Sequence, residues 1–86
     1  MTEAQVQRQI IDGLEAYGAE VLLTHGPRNK PVVRGIAVLP GRVLFVECKG
    51  EGGKASDDQL AFLARMREKG HVAILAHGWE DVEGVL

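Results

Sequence analysis

The residues most able to do chemistry lie in one heptapeptide, Val43-Leu44-Phe45-Val46-Glu47-Cys48-Lys49. Its apolar part suits the inside of a sheet, and it ends in two charges. Successive side chains of a strand point to opposite faces, so Glu47 and Lys49 leave one face and Cys48 the other. A carboxylate beside an ammonium at the mouth of a sheet suits metal-assisted hydrolysis of a phosphodiester. The carboxylate holds a hard divalent cation such as magnesium or manganese. The cation polarises the phosphate and lowers the pKa of a bound water. The ammonium orients that water or offsets charge growing on the phosphate. Glu-x-Lys also describes many exposed strand ends that carry an ordinary salt bridge. Two further residues bear on the choice. Gln59 opens a later helix, where its amide can reach a group near Glu47. Glu3 opens the first helix and can supply another carboxylate. Both equally suit plain helix starts.

Other reactive residues carry less. His25, His71 and His77 sit at strand ends without metal-ligand spacing, and read as exposed histidines. Cys48 reads as packed, with no local signature of a nucleophile. A single cysteine forms no internal disulfide, which favours a reducing cytoplasm. Gly50, Gly52 and Gly53 are not followed by Gly-Lys-Ser/Thr, so no phosphate loop for a nucleotide cofactor is expected. Trp79 reads as a core or interface anchor.

The whole chain must position these groups. It has 86 residues, 45% hydrophobic and 26% charged, which excludes a wholly disordered polymer and fits one domain over residues 1–86. Folding at this size removes roughly 60% of the unfolded chain's accessible area. The core is therefore thin, and a partner copy is expected to support it. No apolar run approaches the ~20 residues of a membrane span. Net charge is −2, which excludes a uniformly basic surface for nucleic acid. The distribution differs from the total. From Val21 to Val46 there is no acid, while Arg28, Lys30, Arg34 and Arg42 all fall there; Glu80, Asp81 and Glu83 cluster near the end. One region is thus suited to a polyanion, unless the charges are a chance feature of a solvated loop.

Periodicity sets the elements. Thr2 with Gln5 forms a helix-opening capping box, and Val6, Ile10, Leu14 and Tyr17 recur at helical spacing until Gly18. This predicts a helix from Glu3 to Tyr17, with Gly13 either weakening it or permitting close packing. Strands are expected from Glu20 to His25, Val32 to Leu39 and Arg42 to Lys49, the last two joined in a hairpin by Pro40-Gly41. Ser56 with Gln59 is a second capping box. Leu60, Leu63 and Ala64 or Arg67 are expected to mark the buried face of the second helix, extended by Phe62 and Met66. A fourth strand runs from His71 to Ala76, and one or two helical turns lie between Trp79 and Leu86. The order αβββαβ implies a mixed four-stranded sheet flanked by two helices, the second crossing over between strands three and four.

Taken in order, these pieces resemble the virus-type replication-repair nuclease (VRR-NUC) domain of the PD-(D/E)XK nuclease superfamily, whose stand-alone members occur in phages and bacteria. The resemblance rests on Glu3 with Gln7, the run from Pro40 to Lys49, Gly52-Gly53-Lys54 with Ser56 and Gln59, Gly70-His71, and Glu80-Asp81-Val82. It implies a restriction-endonuclease-like core and magnesium- or manganese-dependent cleavage of structured, junction-like DNA by a homodimer. Glu47, the carbonyl of Cys48 and Glu3 would hold the metal. Lys49, Gln59 and Glu3 would complete the site with Glu47. Arg28, Lys30, Arg34, Arg42 and Lys54 are the expected phosphate contacts. The sequence departs from the family at one point: the strand preceding Glu-x-Lys lacks the aspartate of the pattern, and ungapped alignment puts Gly35 there. Activity is then impaired, unless another acid such as Glu3 substitutes. The alternatives are a DNA-structure-binding module on the same fold, and a small α/β interaction domain with a plain Glu47–Lys49 salt bridge.

Overall fold

The structure is a computed structural model and describes residues 1–24 and 35–86. Helix α1 spans Glu3–Ala16 and starts at the first capping box. Gln5 N–H donates to Thr2 Oγ1 (3.2 Å) and Thr2 N–H donates to Gln5 Oε1 (2.8 Å). Val6, Ile10 and Leu14 form its buried stripe, and Gly18 ends it at φ 86°, the left-handed turn that glycine adopts without penalty. Strands β1 (Glu20–Leu23), β2 (Gly35–Leu39) and β3 (Arg42–Cys48) follow. Helix α2 spans Asp57–Glu68, strand β4 Val72–Ala76, and helix α3 Trp79–Glu83. The first strand stops two residues short of the expected His25, which lies outside the described residues, as do Val32, Val33 and Arg34.

The four strands form one mixed sheet in the order β1-β2-β3-β4. β1 with β2 and β2 with β3 are antiparallel; β3 with β4 is parallel. The Pro40-Gly41 turn brings Leu39 opposite Arg42, as the hairpin reading requires. A parallel neighbour needs a crossover, and α2 supplies it.

Strand alternation divides the core in two. Ala37, Leu44, Val46 and Ala76 pack with Val6, Ile10, Leu14 and Val82 on the α1–α3 side. Phe45, Ala73 and Leu75 pack with Leu63, Phe62 and Met66 on the α2 side. One expectation is met and one needs correction. The helical turn expected between Trp79 and Leu86 forms α3, which buries Val82 completely and lays Trp79 on α1 beside the two longer helices. A Cβ on Gly13 would lie 2.5 Å from the indole ring, so Gly13 is the close-packing position and the ring takes its space. Trp79 N–H also donates to Gln9 Oε1 (3.1 Å). On α2, Leu60 is 46% exposed rather than buried. The inward stripe is Gln59, Phe62, Leu63 and Met66, the i, i+3, i+4, i+7 face, which places Gln59 against the sheet. Among the described residues no helix is long and apolar enough to cross a membrane.

Candidate functional site

Glu47 is 2% exposed, and it is the one buried polar or charged residue among those described. It lies near the C-terminal end of β3, paired with Leu75 on the α2 face. Gln59 Nε2 donates to Glu47 Oε1 at 2.9 Å. Lys49 Nζ stands 3.3 Å from Glu47 Oε1 and 3.6 Å from Glu3 Oε1. Four expected site residues, Glu3, Glu47, Lys49 and Gln59, therefore meet in one cluster. The ammonium bridges a buried carboxylate and a half-exposed one.

The two readings of Gln59, cap and site residue, hold together. Its Oε1 accepts from Ser56 N–H (2.9 Å), while Ser56 Oγ accepts from Gln59 N–H (3.1 Å). The capping box fixes the amide oxygen, and the amide NH₂ then faces Glu47. Helix initiation thus orients the donor.

The turn after β3 is tied down on several sides. Glu51 N–H donates to Met1 O (3.0 Å) and Gly53 N–H to Gly50 O (2.9 Å). His77 Nε2–H donates to Gly53 O (2.8 Å), and His77 N–H donates to Asp81 Oδ2 (2.8 Å). His77 is exposed, as its place at a strand end implies, yet it takes part in holding this turn. The available signal was topological: β3 and β4 are parallel neighbours, so the residues that leave their ends lie together, as the Lys49 N–H to Ala76 O bond (3.0 Å) shows.

Cys48 faces the opposite side and packs against the α1 core. Burial, with smaller contributions from the Glu47 and Glu3 carboxylates, pushes its thiol up to about 12, which suits a packing role. Gly35 pairs with Val46 and so belongs to the α1 face, whereas Glu47 belongs to the α2 face. It lines a cleft with Glu3, Gln7, Ile10 and Cys48, and a Cβ there would meet Val46 O at 3.1 Å. An aspartate at position 35 would project into that cleft, away from the face that carries Glu47.

The expected phosphate contacts separate. Lys54 is exposed and follows Gly53, whose Cβ direction meets Lys49 Cβ at 3.3 Å, so it lies at the end of the sheet that holds the cluster. Arg42 starts β3, about 17 Å along the strand from Glu47 at ~3.3 Å per residue. Its guanidinium donates to Val85 O (3.1 Å) and Leu86 O (2.9 Å). Arg28, Lys30 and Arg34 lie outside the described residues. His71 also lies at the far end, with its ring 5.8 Å from that of Phe45.

Among the described residues no three His, Cys, Asp or Glu side chains gather as a metal cage. Among the described residues the anionic side-chain oxygen donors of the cluster are two carboxylates. Magnesium is ordinarily held by one or two carboxylates, with waters and substrate phosphates filling the rest of its shell. The hard-oxygen pair fits that chemistry. No protein-family model matches the chain, and no curated protein or solved structure shows detectable similarity to it.

Proposed function

We propose that this chain is a nuclease domain with a restriction-endonuclease-like core that binds structured DNA and a divalent cation at the Glu47 cluster. The observation that carries the reading is the Glu47 carboxylate, 2% exposed and held by Gln59 and Lys49 at the end of a core strand. Burying a carboxylate with an ammonium costs desolvation, and well-packed apolar side chains of similar volume commonly serve stability as well or better. A cluster kept under that penalty is a candidate for function. Glu47 and Glu3 supply hard oxygens on either side of Lys49. Gln59 orients Glu47. The Lys49 ammonium is a donor-only group already set among carboxylates, and a phosphodiester oxygen is a suitable further partner. A bound magnesium or manganese ion would polarise the scissile phosphate and acidify a water. Lys54, with Arg28, Lys30 and Arg34 of the acid-free segment, would meet neighbouring phosphates. A homodimer would present two such sites to a two-fold junction.

A second reading is a binding module without cleavage. It is favoured by Gly35, which lies on the opposite face to Glu47 and carries no side-chain ligand. One experiment orders the alternatives. The chain is titrated against a labelled four-way DNA junction at several salt concentrations, then incubated with magnesium or manganese. Salt-dependent binding with cleavage that is lost in Lys49→Met supports the nuclease. Binding without cleavage supports the module. Absence of both binding and cation uptake leaves only an interaction domain and overturns the proposal.

A further inference from the structure

The residue immediately after Lys49 makes the closest backbone approach near the cluster. A Cβ built on Gly50 would lie 2.7 Å from Glu3 N, 2.9 Å from Met1 O and 3.0 Å from Thr2 C. All three are backbone atoms, which cannot swing aside as the end of a flexible side chain can. The N-terminal end of α1 therefore crosses directly over Gly50, and the Glu51 N–H to Met1 O bond (3.0 Å) holds it there. Thr2, the N-cap of α1, is part of the crossing segment, and Glu3 is the first helical residue. Its carboxylate consequently arrives 3.6 Å from Lys49 Nζ, although Glu3 and Lys49 are far apart in sequence.

We infer that Gly50 is a positioning residue: the absence of a side chain there lets the start of α1 rest on the end of β3 and deliver the Glu3 carboxylate to the Glu47–Lys49 pair. The inference rests on the metal-site reading only for its consequence in cation binding. The geometry itself has a metal-free readout. A methyl group at position 50 overlaps three backbone atoms of the Met1–Glu3 segment, so the crossing segment must lift. Lifting withdraws Glu3, while Glu47, Lys49 and Gln59 keep their own supports on β3 and α2.

The test compares wild type with Gly50→Ala, Glu3→Gln, Glu3→Asp and the Gly50→Ala/Glu3→Gln double variant. Two measurements are made by NMR. The first, without metal, follows exchange of the Glu51 amide and the slowly exchanging side-chain ammonium signal of Lys49. The second follows Mn²⁺-induced broadening at Glu47 and Lys49 during titration. Gly50→Ala is expected to deprotect the Glu51 amide and erase the Lys49 ammonium signal, as Glu3→Gln erases it. Both variants are expected to weaken Mn²⁺ binding roughly 10- to 100-fold, the range for losing a group that supports a metal site. The double variant is expected to lose no more than either single one. Glu3→Asp keeps the charge but withdraws it by one methylene; loss of the ammonium signal there supports fixed delivery even if Gly50→Ala does not fold. A protected Glu51 amide and intact ammonium signal in Gly50→Ala would overturn the inference, as would wild-type behaviour of Glu3→Asp. If wild type shows no Mn²⁺ broadening, the metal reading falls, and the ammonium signal decides the role of Gly50.

Discussion

Replacing Lys49 by methionine tests whether the buried pair exists for stability or for chemistry. The substitution keeps length and volume and removes the charge. Glu47 would remain 2% exposed, with Gln59 still donating to Oε1. Removing one partner of a buried pair costs about 3–5 kcal/mol because the charge left behind loses much of its compensation. The Lys49 side chain is 16% exposed, so some water already reaches it, and the low end, about 3 kcal/mol, is expected. In a domain of this size that lowers Tm by roughly 12–24 °C, at 4–8 °C per kcal/mol. The companion is Glu47→Leu/Lys49→Met, which removes both charges and fills the space with apolar atoms. It is expected within about 1 kcal/mol of wild type, because the desolvation penalty disappears with the attraction. Urea unfolding followed by Trp79 fluorescence measures both, with unchanged m-values as the check on comparability. A single variant as stable as wild type would mean that Glu47 is not effectively desolvated. A double variant as unstable as the single one would make the pair a structural element and remove the physical ground for a functional site.

Gly13→Ala places a methyl where the Trp79 ring lies, 2.5 Å away, so despite alanine's better helix propensity it is expected to destabilise by about 1–3 kcal/mol and to shift Trp79 emission to longer wavelength. Gln59→Glu keeps the acceptor for Ser56 N–H but puts a carboxylate against Glu47. A loss of about 1.5–3 kcal/mol at neutral pH is expected, and a variant as stable as wild type in urea unfolding would contradict the contact. Native Cys48 is expected to resist thiol reagents at pH 8 because its thiol is pushed up to about 12. Since this raised value is native, the folded state keeps a proton that the unfolded thiol releases above its ordinary value near 9.0. The Cys48 contribution to stability is therefore full at neutral pH and falls between about 9 and 12, a decline that Cys48→Ala should lessen.

The elements legible in the sequence were those with local causes. Both capping boxes, the Val6–Ile10–Leu14 stripe and the Pro40-Gly41 hairpin lie where short-range pattern puts them. Of the Glu3–Glu47–Lys49–Gln59 grouping, strand alternation makes Glu47 with Lys49 legible, whereas the approach of Gln59 and Glu3 depends on how α2 and the start of α1 meet the end of β3. Leu60 was misplaced because Leu60 and Leu63 fit helical spacing as well as Phe62, Leu63 and Met66 do, and only contact with β3 and β4 selects the second stripe. His77 carries no local pattern, and its partner, Gly53 O, is brought to it by the parallel pairing of β3 with β4. The facing of Gly35 depended on hairpin register, which the short turn fixes and which alignment by residue type does not reveal.

The double use of the Gln59 amide ties two processes together. Its oxygen closes the first turn of α2, and its nitrogen restrains the Glu47 carboxylate. Fraying of that turn, among the least costly local openings in a small domain, therefore also releases the acid from its restraint. A change at Ser56 would act as a dial on how long Glu47 stays restrained, so that helix nucleation and the order of the cluster rise and fall as one equilibrium.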